Sequence, residues 1–223
     1  MLAALPTKCG VSMQRSTHSV DVKAPTPKEQ LLEILKEKSV CHGSFRLASG
    51  VQSDLYIDAK QTTQDPRGAI LVGRVGWEVV KQLARDLRRR IDSIGGLTMG
   101  ADPIASSIGI FAHLEDSSSE LQTFVVRKVP KTHGRHKLIE GNFSAGDSVV
   151  IVDDVITTGG STLQAIEAVK EAGGEIAFVI VLVDRQEGGR ENIEKHGYRV
   201  VPIFTREDLI GAHAPRRSDI AIT

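Results

Sequence analysis

Cysteine, net charge and long apolar segments are all scarce in this sequence. Its 223 residues contain two cysteines, Cys9 and Cys41, too few for a disulfide framework or a cysteine zinc site, which indicates thiols in a reducing compartment. Lysine plus arginine and aspartate plus glutamate both number 28, so the net charge is zero and nucleic acid is not an expected partner. The longest apolar run, 176–183, has eight residues, far fewer than a membrane-spanning helix needs.

The remaining composition is that of a globular protein, with 40% apolar and 25% charged residues. Residues 1–25 lack hydrophobic periodicity, and we expect a loose tail there before a domain at 26–223. A true start at Met13 and an organelle import signal are the alternatives for this tail. Basic residues are few in it, so import is not favoured and a cytoplasmic location is expected.

Strand-like and helix-like segments alternate along the chain. The short apolar segments expected to be strands are 94–99, 123–127, 148–152, 176–183 and 198–204. The segments with helical periodicity or helix-start signals are 28–38, 68–90, 103–113 and 162–172. This order predicts an α/β fold with a central, mostly parallel sheet flanked by helices. Residues 26–66 are predicted to form a small, less regular N-terminal hood on that core.

The most specific local signal is the segment 149–162, with the sequence VVIVDDVITTGGST. An apolar strand delivers Asp153 and Asp154, a loop of threonines and glycines follows, and a helix begins. In parallel sheets, ligands bind at the carboxyl ends of strands, and a helix N-terminus there favours phosphate. The paired carboxylates suit the vicinal hydroxyls of a sugar, or a metal carried by the ligand. The alternative is that the acids merely cap the helix and the glycines merely turn the chain.

This segment is neither a Walker loop nor a dinucleotide fingerprint, because it lacks Gly-Lys-Ser/Thr and G-x-G-x-x-G. It resembles the motif with which type I phosphoribosyltransferases bind phosphoribosyl diphosphate (PRPP). The resemblance implies a type I phosphoribosyltransferase-like fold with a flexible catalytic loop.

A basic segment, 127–137, carries five lysines and arginines and two histidines with no acid. Such donors can neutralise a diphosphate and stabilise its charge as it leaves. The surrounding polar segment, 129–145, has little periodicity, and we predict a lid that closes over the reaction and excludes water. The alternative is a solvated loop that touches nothing.

The spacing of the basic segment resembles the catalytic loop of orotate phosphoribosyltransferases. The other segments that carry this resemblance are Phe45-x-Leu47-x-Ser49-Gly50, Tyr56-x-Asp58, GGLTMGADPIA at 95–105 and Asp184-Arg185-Gln186-Glu187-Gly188. The resemblance covers about residues 28–210. Two positions depart from patterns found in some members: Ala48 stands where they have lysine, and 100–103 replaces a longer loop, so no diphosphate contact is assigned there.

The resemblance implies a role for each matched residue. Lys131 and His133 would be catalytic, acting on the leaving diphosphate, with His133 a candidate proton donor. The implied PRPP-binding residues are Arg127, Lys128, Lys131, His133, Asp153, Asp154, Val155, Ile156, Thr157, Thr158, Gly159, Gly160 and Ser161. Thr157 and Arg185 would bind orotate, because a guanidinium fork fits a planar anion.

The resemblance also implies the reaction and its partners. Orotate and PRPP would give orotidine 5′-phosphate and diphosphate, in the synthesis of UMP. Mg²⁺ would be carried by PRPP with no direct protein ligand, and a homodimer would share active sites between subunits. The alternatives are a transferase for another base, a PRPP-binding regulator without catalysis, and an unrelated α/β protein.

Overall fold

The computed structural model describes residues 24–46, 52–129 and 138–211. No helix within these ranges is long and apolar enough to cross a membrane. The elements are α1 (Pro27–Ser39), β1 (Val40–Arg46), β2 (Gln52–Ile57), α2 (Lys60–Thr63), α3 (Pro66–Leu87), β3 (Ser93–Leu97), α4 (Ala101–Glu115), β4 (Gln122–Val126), β5 (Ile139–Gly141), β6 (Ser148–Ile156), α5 (Gly160–Glu171), β7 (Glu175–Asp184), α6 (Gly189–Lys195), β8 (Val200–Thr205) and α7 (Arg206–Ile210).

The central sheet has six strands in the order β5-β4-β3-β6-β7-β8. Five of these strands are parallel, and only β5 runs antiparallel to its neighbour, β4. The predicted α/β fold with a mostly parallel central sheet is therefore confirmed.

Strands β6 and β7 are buried on both faces, which is why each reads as a continuous apolar run. Successive side chains of a strand point to opposite faces. Val150 and Ile180 accordingly lie in the core beneath α1, α3 and α4, whereas Ile151 and Val179 lie in the core beneath α5. Both cores are closed by helices, so polar side chains can reach solvent only at the ends of these strands.

Helix α3 begins and ends two to three residues earlier than the periodicity predicts. Asp65 caps its N-terminus, because the carboxylate accepts hydrogen bonds from the N–H groups of Arg67 at 3.0 Å and Gly68 at 3.1 Å. Pro66 then occupies the first turn, where its missing N–H costs nothing. At the other end Arg88 takes a left-handed conformation with φ of 49° and stops the helix.

The predicted lid over 129–145 is wrong for residues 139–141. Residues Ile139–Gly141 form β5, which pairs with β4, and the N–H of Arg127 donates to the carbonyl of Leu138 at 2.8 Å. Three residues are too few to show an alternation of apolar and polar side chains, so backbone pairing alone defines this strand. Residues 130–137, where a catalytic loop is predicted, lie outside the described residues.

The predicted hood corresponds to α1, the β1–β2 hairpin and α2. The hairpin forms a separate two-stranded sheet, and Leu31 and Leu55 join the same core as α3 and α4. Lys38 Nζ lies 2.6 Å from the carboxylate of Asp65, which ties α1 to the start of α3. The sequence did not predict α2, a single turn of four residues. The division between hood and core at residue 66 stays a prediction.

Candidate active site

The order in which the chain adds strands to the sheet reverses between β3 and β6, which lie side by side. From β3 the chain continues to β4 on one side, whereas β7 and β8 follow β6 on the other. Ligands of open parallel sheets bind at such a switch point, outside the carboxyl ends of the strands. The carboxyl ends of β3, β4, β6 and β7 therefore define the region where the predicted site residues must meet.

Asp153 lies within β6, which ends at Ile156 and so continues four residues past the predicted strand end at 152, and Asp153 is only 6% exposed. Oδ2 accepts a 2.7 Å hydrogen bond from the hydroxyl of Thr162, and Oδ1 accepts a 3.0 Å bond from the N–H of Asp154. Burial raises the pKa of Asp153 to about 7, and the neighbouring charge of Asp154 adds to this, although the bond from Thr162 opposes it. Asp153 is therefore ready to accept a hydroxyl hydrogen bond that would favour its ionised form.

Groups from three parts of the chain surround the carboxylate of Asp154. Its own strand contributes the N–H of Val155, which donates to Oδ1 at 2.9 Å. From the loop after β3, Gly100 packs so closely that a Cβ there would overlap the carboxylate. From the hood, Nζ of Lys60 lies 3.9 Å from Oδ2. Asp154 is thus the point at which the hood, β3 and β6 converge.

The loop 157–161 leads into α5, whose first turn has no side-chain cap. Gly159 has φ of 80°, and a Cβ there would lie 2.8 Å from the carbonyl oxygen of Gly189. Asn192 supports the loop by donating to the carbonyl of Thr158 at 2.9 Å. The first N–H groups of α5 have no partner within the helix, and the dipole favours negative charge, so this end of the loop fits a phosphate.

Arg185 follows β7 at the same edge and is 4% exposed. Its Nη2 lies 3.0 Å from Oε1 of Glu187 and 3.4 Å from the carbonyl oxygen of Leu55 in the hood. Its backbone N–H donates to the carbonyl of Ile156 at 3.1 Å. The guanidinium therefore contacts the hood at Leu55, just beyond the carboxyl end of β7.

The structure describes two of the four predicted basic site residues, Arg127 and Lys128. Arg127 follows β4, and its Nη1 lies 3.6 Å from Oε1 of Glu140 in β5. The carbonyl of Lys128 accepts a 3.2 Å hydrogen bond from Gln164 of α5, which brings this segment beside the helix of the phosphate loop. Lys131 and His133 lie outside the described residues.

Sequence reasoning missed three residues at this edge, Lys60, Gly100 and Thr162. Lys60 stands two positions after Asp58, just beyond the Tyr56-x-Asp58 segment. Thr162 was included in the motif only as a helix start. No local pattern singles out any of them, because each gains its importance from a contact with Asp153 or Asp154.

A buried acid beside a second acid, a glycine loop and a helix N-terminus lie together at the switch point, and this set of groups fits a sugar phosphate. In agreement, the family model "Phosphoribosyl transferase domain" matches residues 78–216.

Comparison with similar proteins shows to which group of phosphoribosyltransferases the chain is related. The orotate phosphoribosyltransferase of Aquifex aeolicus is 43% identical over 82% of this chain and 97% of its own length. The orotate phosphoribosyltransferase of Mycobacterium tuberculosis H37Rv, solved with Fe(III) dicitrate, has a TM-score of 0.69 and 38% identity, covering 82% of this chain and 99% of that one. A second structure of that enzyme, solved with PRPP, has a TM-score of 0.66 and 34% identity over the same shares. The chain therefore belongs to the orotate phosphoribosyltransferase family.

Proposed function

We propose that this chain transfers ribose 5-phosphate from PRPP to orotate, giving orotidine 5′-phosphate and diphosphate in pyrimidine synthesis. The observation that supports the proposal is that the groups for the sugar and for the phosphate lie on one short, continuous segment of the chain. The acids at the end of β6, the loop 157–161 and the first turn of α5 follow one another at the switch point of the sheet. That unit matches a ligand with vicinal hydroxyls next to a phosphate.

The ribose would bind to the two carboxylates. Its two ring hydroxyls donate to Asp153 and Asp154, while the 5′-phosphate accepts from N–H groups and hydroxyls of residues 157–161. The hydroxyl hydrogen bonds stabilise the ionised form of Asp153, whose pKa burial holds at about 7 in the free protein. The sugar would thereby be held at two points, by the acids and by the phosphate loop.

Orotate would lie against Arg185, where the carboxyl end of β7 meets the hood. Arg185 is already oriented by Glu187 and by the carbonyl of Leu55, so little rotamer entropy is lost when its fork binds a planar carboxylate. Thr157, at the start of the phosphate loop, is proposed to contact the same base. This arrangement brings the base and the ribose to neighbouring strand ends, β7 and β6, as a reaction at C1 requires.

The departing diphosphate is proposed to be neutralised by Arg127, Lys128, Lys131 and His133. Bond breaking at C1 leaves an oxocarbenium-like sugar, and positive donors on the leaving group lower the barrier to that step. A lid carrying these residues would also exclude water, which otherwise captures the sugar cation. Arg127 and Lys128 follow β4 at the correct edge, which supports this part of the proposal.

Magnesium is proposed to enter with PRPP. Among the described residues no group of three histidine, cysteine or acidic side chains could hold a metal ion, and two acids are too few for an all-protein magnesium site. Oxygen atoms of the substrate, together with water, would supply its ligands. When bound, the ion would neutralise part of the diphosphate charge.

A homodimer with shared sites is proposed from an exposed apolar face. Ile110 and Leu114 lie one turn apart on α4 and are 62% and 76% exposed. Exposed apolar side chains that adjoin one another mark association surfaces. Helix α4 packs on β4, from whose end the predicted lid departs, so association through α4 would bring one subunit's lid near its partner. A cytoplasmic location remains a prediction from the sequence.

Orotate consumption, followed by ultraviolet absorbance, tests the proposed function. Loss of absorbance should require orotate, PRPP and magnesium together, and each should be omitted in turn. Turnover of uracil, adenine or hypoxanthine in place of orotate would mean a different base. PRPP binding without turnover of any base would mean a binding protein and would overturn the proposal.

A further inference from the structure

Lys60 reaches the acid pair from the hood. It is the first residue of α2, and its Nζ lies 3.0 Å from Oδ1 of Asp58 and 3.9 Å from Oδ2 of Asp154. The side chain is 39% exposed, so the ammonium borders solvent at the open side of the site. No role in the reaction described above accounts for a cation at this position.

The ammonium has donors left over. A lysine has three N–H donors and no acceptor, and Asp58 takes one of them at hydrogen-bond distance. At 3.9 Å, Asp154 attracts the charge but is too far for a hydrogen bond. Burial lowers the pKa of Lys60, but the hydrogen bond to Asp58 and the charge of Asp154 outweigh it and raise the pKa, so the charge is permanent.

The three parts of PRPP differ in what they need. The ribose hydroxyls donate to the carboxylates, and the 5′-phosphate has the loop 157–161 and the N-terminus of α5. The diphosphate accepts hydrogen bonds only, and the carboxylates of Asp58 and Asp154 would repel it. A cation between these two acids offsets part of that repulsion and offers its remaining donors to the diphosphate.

We propose that Lys60 is a PRPP-binding residue that contacts the diphosphate group and offsets the charge of Asp154. This inference rests on the proposed PRPP chemistry but not on the choice of orotate as the base. Asp58 holds the ammonium in place from the same segment of the hood. The hood thereby takes part in binding the leaving group as well as the base.

Calorimetric titration of the full chain with three probes, each with magnesium and without a base, tests this role. The probes are PRPP, inorganic diphosphate and ribose 5-phosphate. Lys60→Met keeps the aliphatic stem and should weaken PRPP and diphosphate binding by roughly 10-fold or more, with ribose 5-phosphate changed less than about 2-fold. Lys60→Arg should recover most of the diphosphate affinity, because it keeps a cation.

Lys36→Met is the matched control. Lys36 is also a lysine of the hood, paired with Glu33 at 3.8 Å on the exposed side of α1, and its loss should leave all three affinities unchanged. Equal weakening of ribose 5-phosphate and diphosphate by Lys60→Met, or no weakening, would overturn the role of Lys60 while PRPP binding by the unaltered protein stands. If Lys60→Met does not fold, a loss of diphosphate affinity in Lys60→Arg would overturn the role of Lys60 instead. Failure of the unaltered protein to bind PRPP would instead refute the proposed function.

Discussion

The hydroxyl of Thr162 donates a 2.7 Å hydrogen bond to Oδ2 of Asp153, and both side chains are buried. Asp153 belongs to β6 and Thr162 to the first turn of α5, so this bond closes the loop that separates them. The geometry of the phosphate loop is thereby coupled to the orientation of the ribose-binding acid. Thr162 acts through Asp153 and is a positioning residue.

Thr162→Val should shift the pH dependence of PRPP binding. The hydrogen bond from Thr162 lowers the pKa of Asp153, so its removal raises that pKa further and moves the acid limb of binding to higher pH. Stability should fall by about 1 kcal/mol. Calorimetric affinities measured on both sides of neutrality provide the test, and Thr162→Ser, which keeps the hydroxyl, should leave the profile in place. An unshifted profile for the valine variant would refute the coupling.

Asp153 should make the unliganded protein less stable as pH rises. Its pKa is about 7 in the folded state and 3.8 ordinarily, so between these values the folded protein holds a proton that the unfolded chain has released. Stability therefore falls from about pH 4 to about pH 7, and the full cost is present above that range. Asp153→Asn should remove this cost, which is on the order of a few kcal/mol.

Thermal unfolding at several pH values checks this prediction. Asp153→Asn should unfold at a higher temperature than the unaltered protein at alkaline pH, match it below about pH 4, and fail to bind PRPP. Asp116 supplies a control of opposite sign, because the hydroxyl and N–H of Ser118 hold the pKa of that exposed carboxyl below its ordinary value. Asp116→Asn should therefore give no gain at alkaline pH. A constant difference between Asp153→Asn and the unaltered protein at every pH would contradict the raised pKa.

The fold was predictable where local sequence decides the structure. Strands β6 and β7 are apolar on both faces, and α3 has a periodic apolar face, so their pattern is visible in the sequence. Strand β5 and helix α2 span three and four residues and depend on neighbours distant in the chain. No periodicity can develop over such lengths, which is why both were missed.

The site residues also separate into those that the local sequence predicts and those that only tertiary contacts define. Asp153, Asp154 and the loop 157–161 are contiguous in the sequence, so their shared chemistry could be inferred from composition and order. Gly100 and Lys60 meet Asp154 only after the hood and β3 have folded against β6. Their roles follow from tertiary contacts and could not be predicted from the residues beside them. Lys131 and His133 stay predictions, since they lie outside the described residues.

Gly100→Ala should disturb PRPP binding without unfolding the protein. The added Cβ would overlap the carboxylate of Asp154, which can rotate away but then no longer faces the ribose. A displacement of this size should weaken PRPP binding roughly 10- to 100-fold. Met99→Ala is the matched control, because it alters the exposed neighbour in the same loop and should have little effect. PRPP affinity equal to that of the unaltered protein would show that Asp154 tolerates the methyl group.

Arg185→Lys should affect orotate more than PRPP. A lysine keeps the charge but loses the fork that binds a planar carboxylate, so the KM for orotate should rise about 10-fold or more, with that for PRPP within about 3-fold. Steady-state kinetics with each substrate varied in turn give both constants. Arg190→Lys, at an exposed pair with Glu194 nearby, should change neither. Equal increases for the two substrates would remove Arg185 from the base side of the site.

Shared active sites predict that two inactive variants restore one another. Lys131→Ala removes a lid residue, and Asp154→Asn removes a ribose-binding acid. If the lid crosses to the partner subunit, a mixed dimer has one site with both residues intact, and random mixing should restore about a quarter of full activity. If each chain completes its own site, every site in the mixture lacks one residue and no activity returns.

The same mixture tests the surface through which the chains associate. The double variant Ile110→Asp with Leu114→Asp would place charge on the exposed apolar face of α4, so association and the restored activity should be lost together. Leu87→Asp, which alters an exposed apolar side chain on α3, is the control and should leave both in place. Sedimentation and complementation should be measured on the same samples. Restored activity from chains that sediment as monomers would contradict sharing through α4.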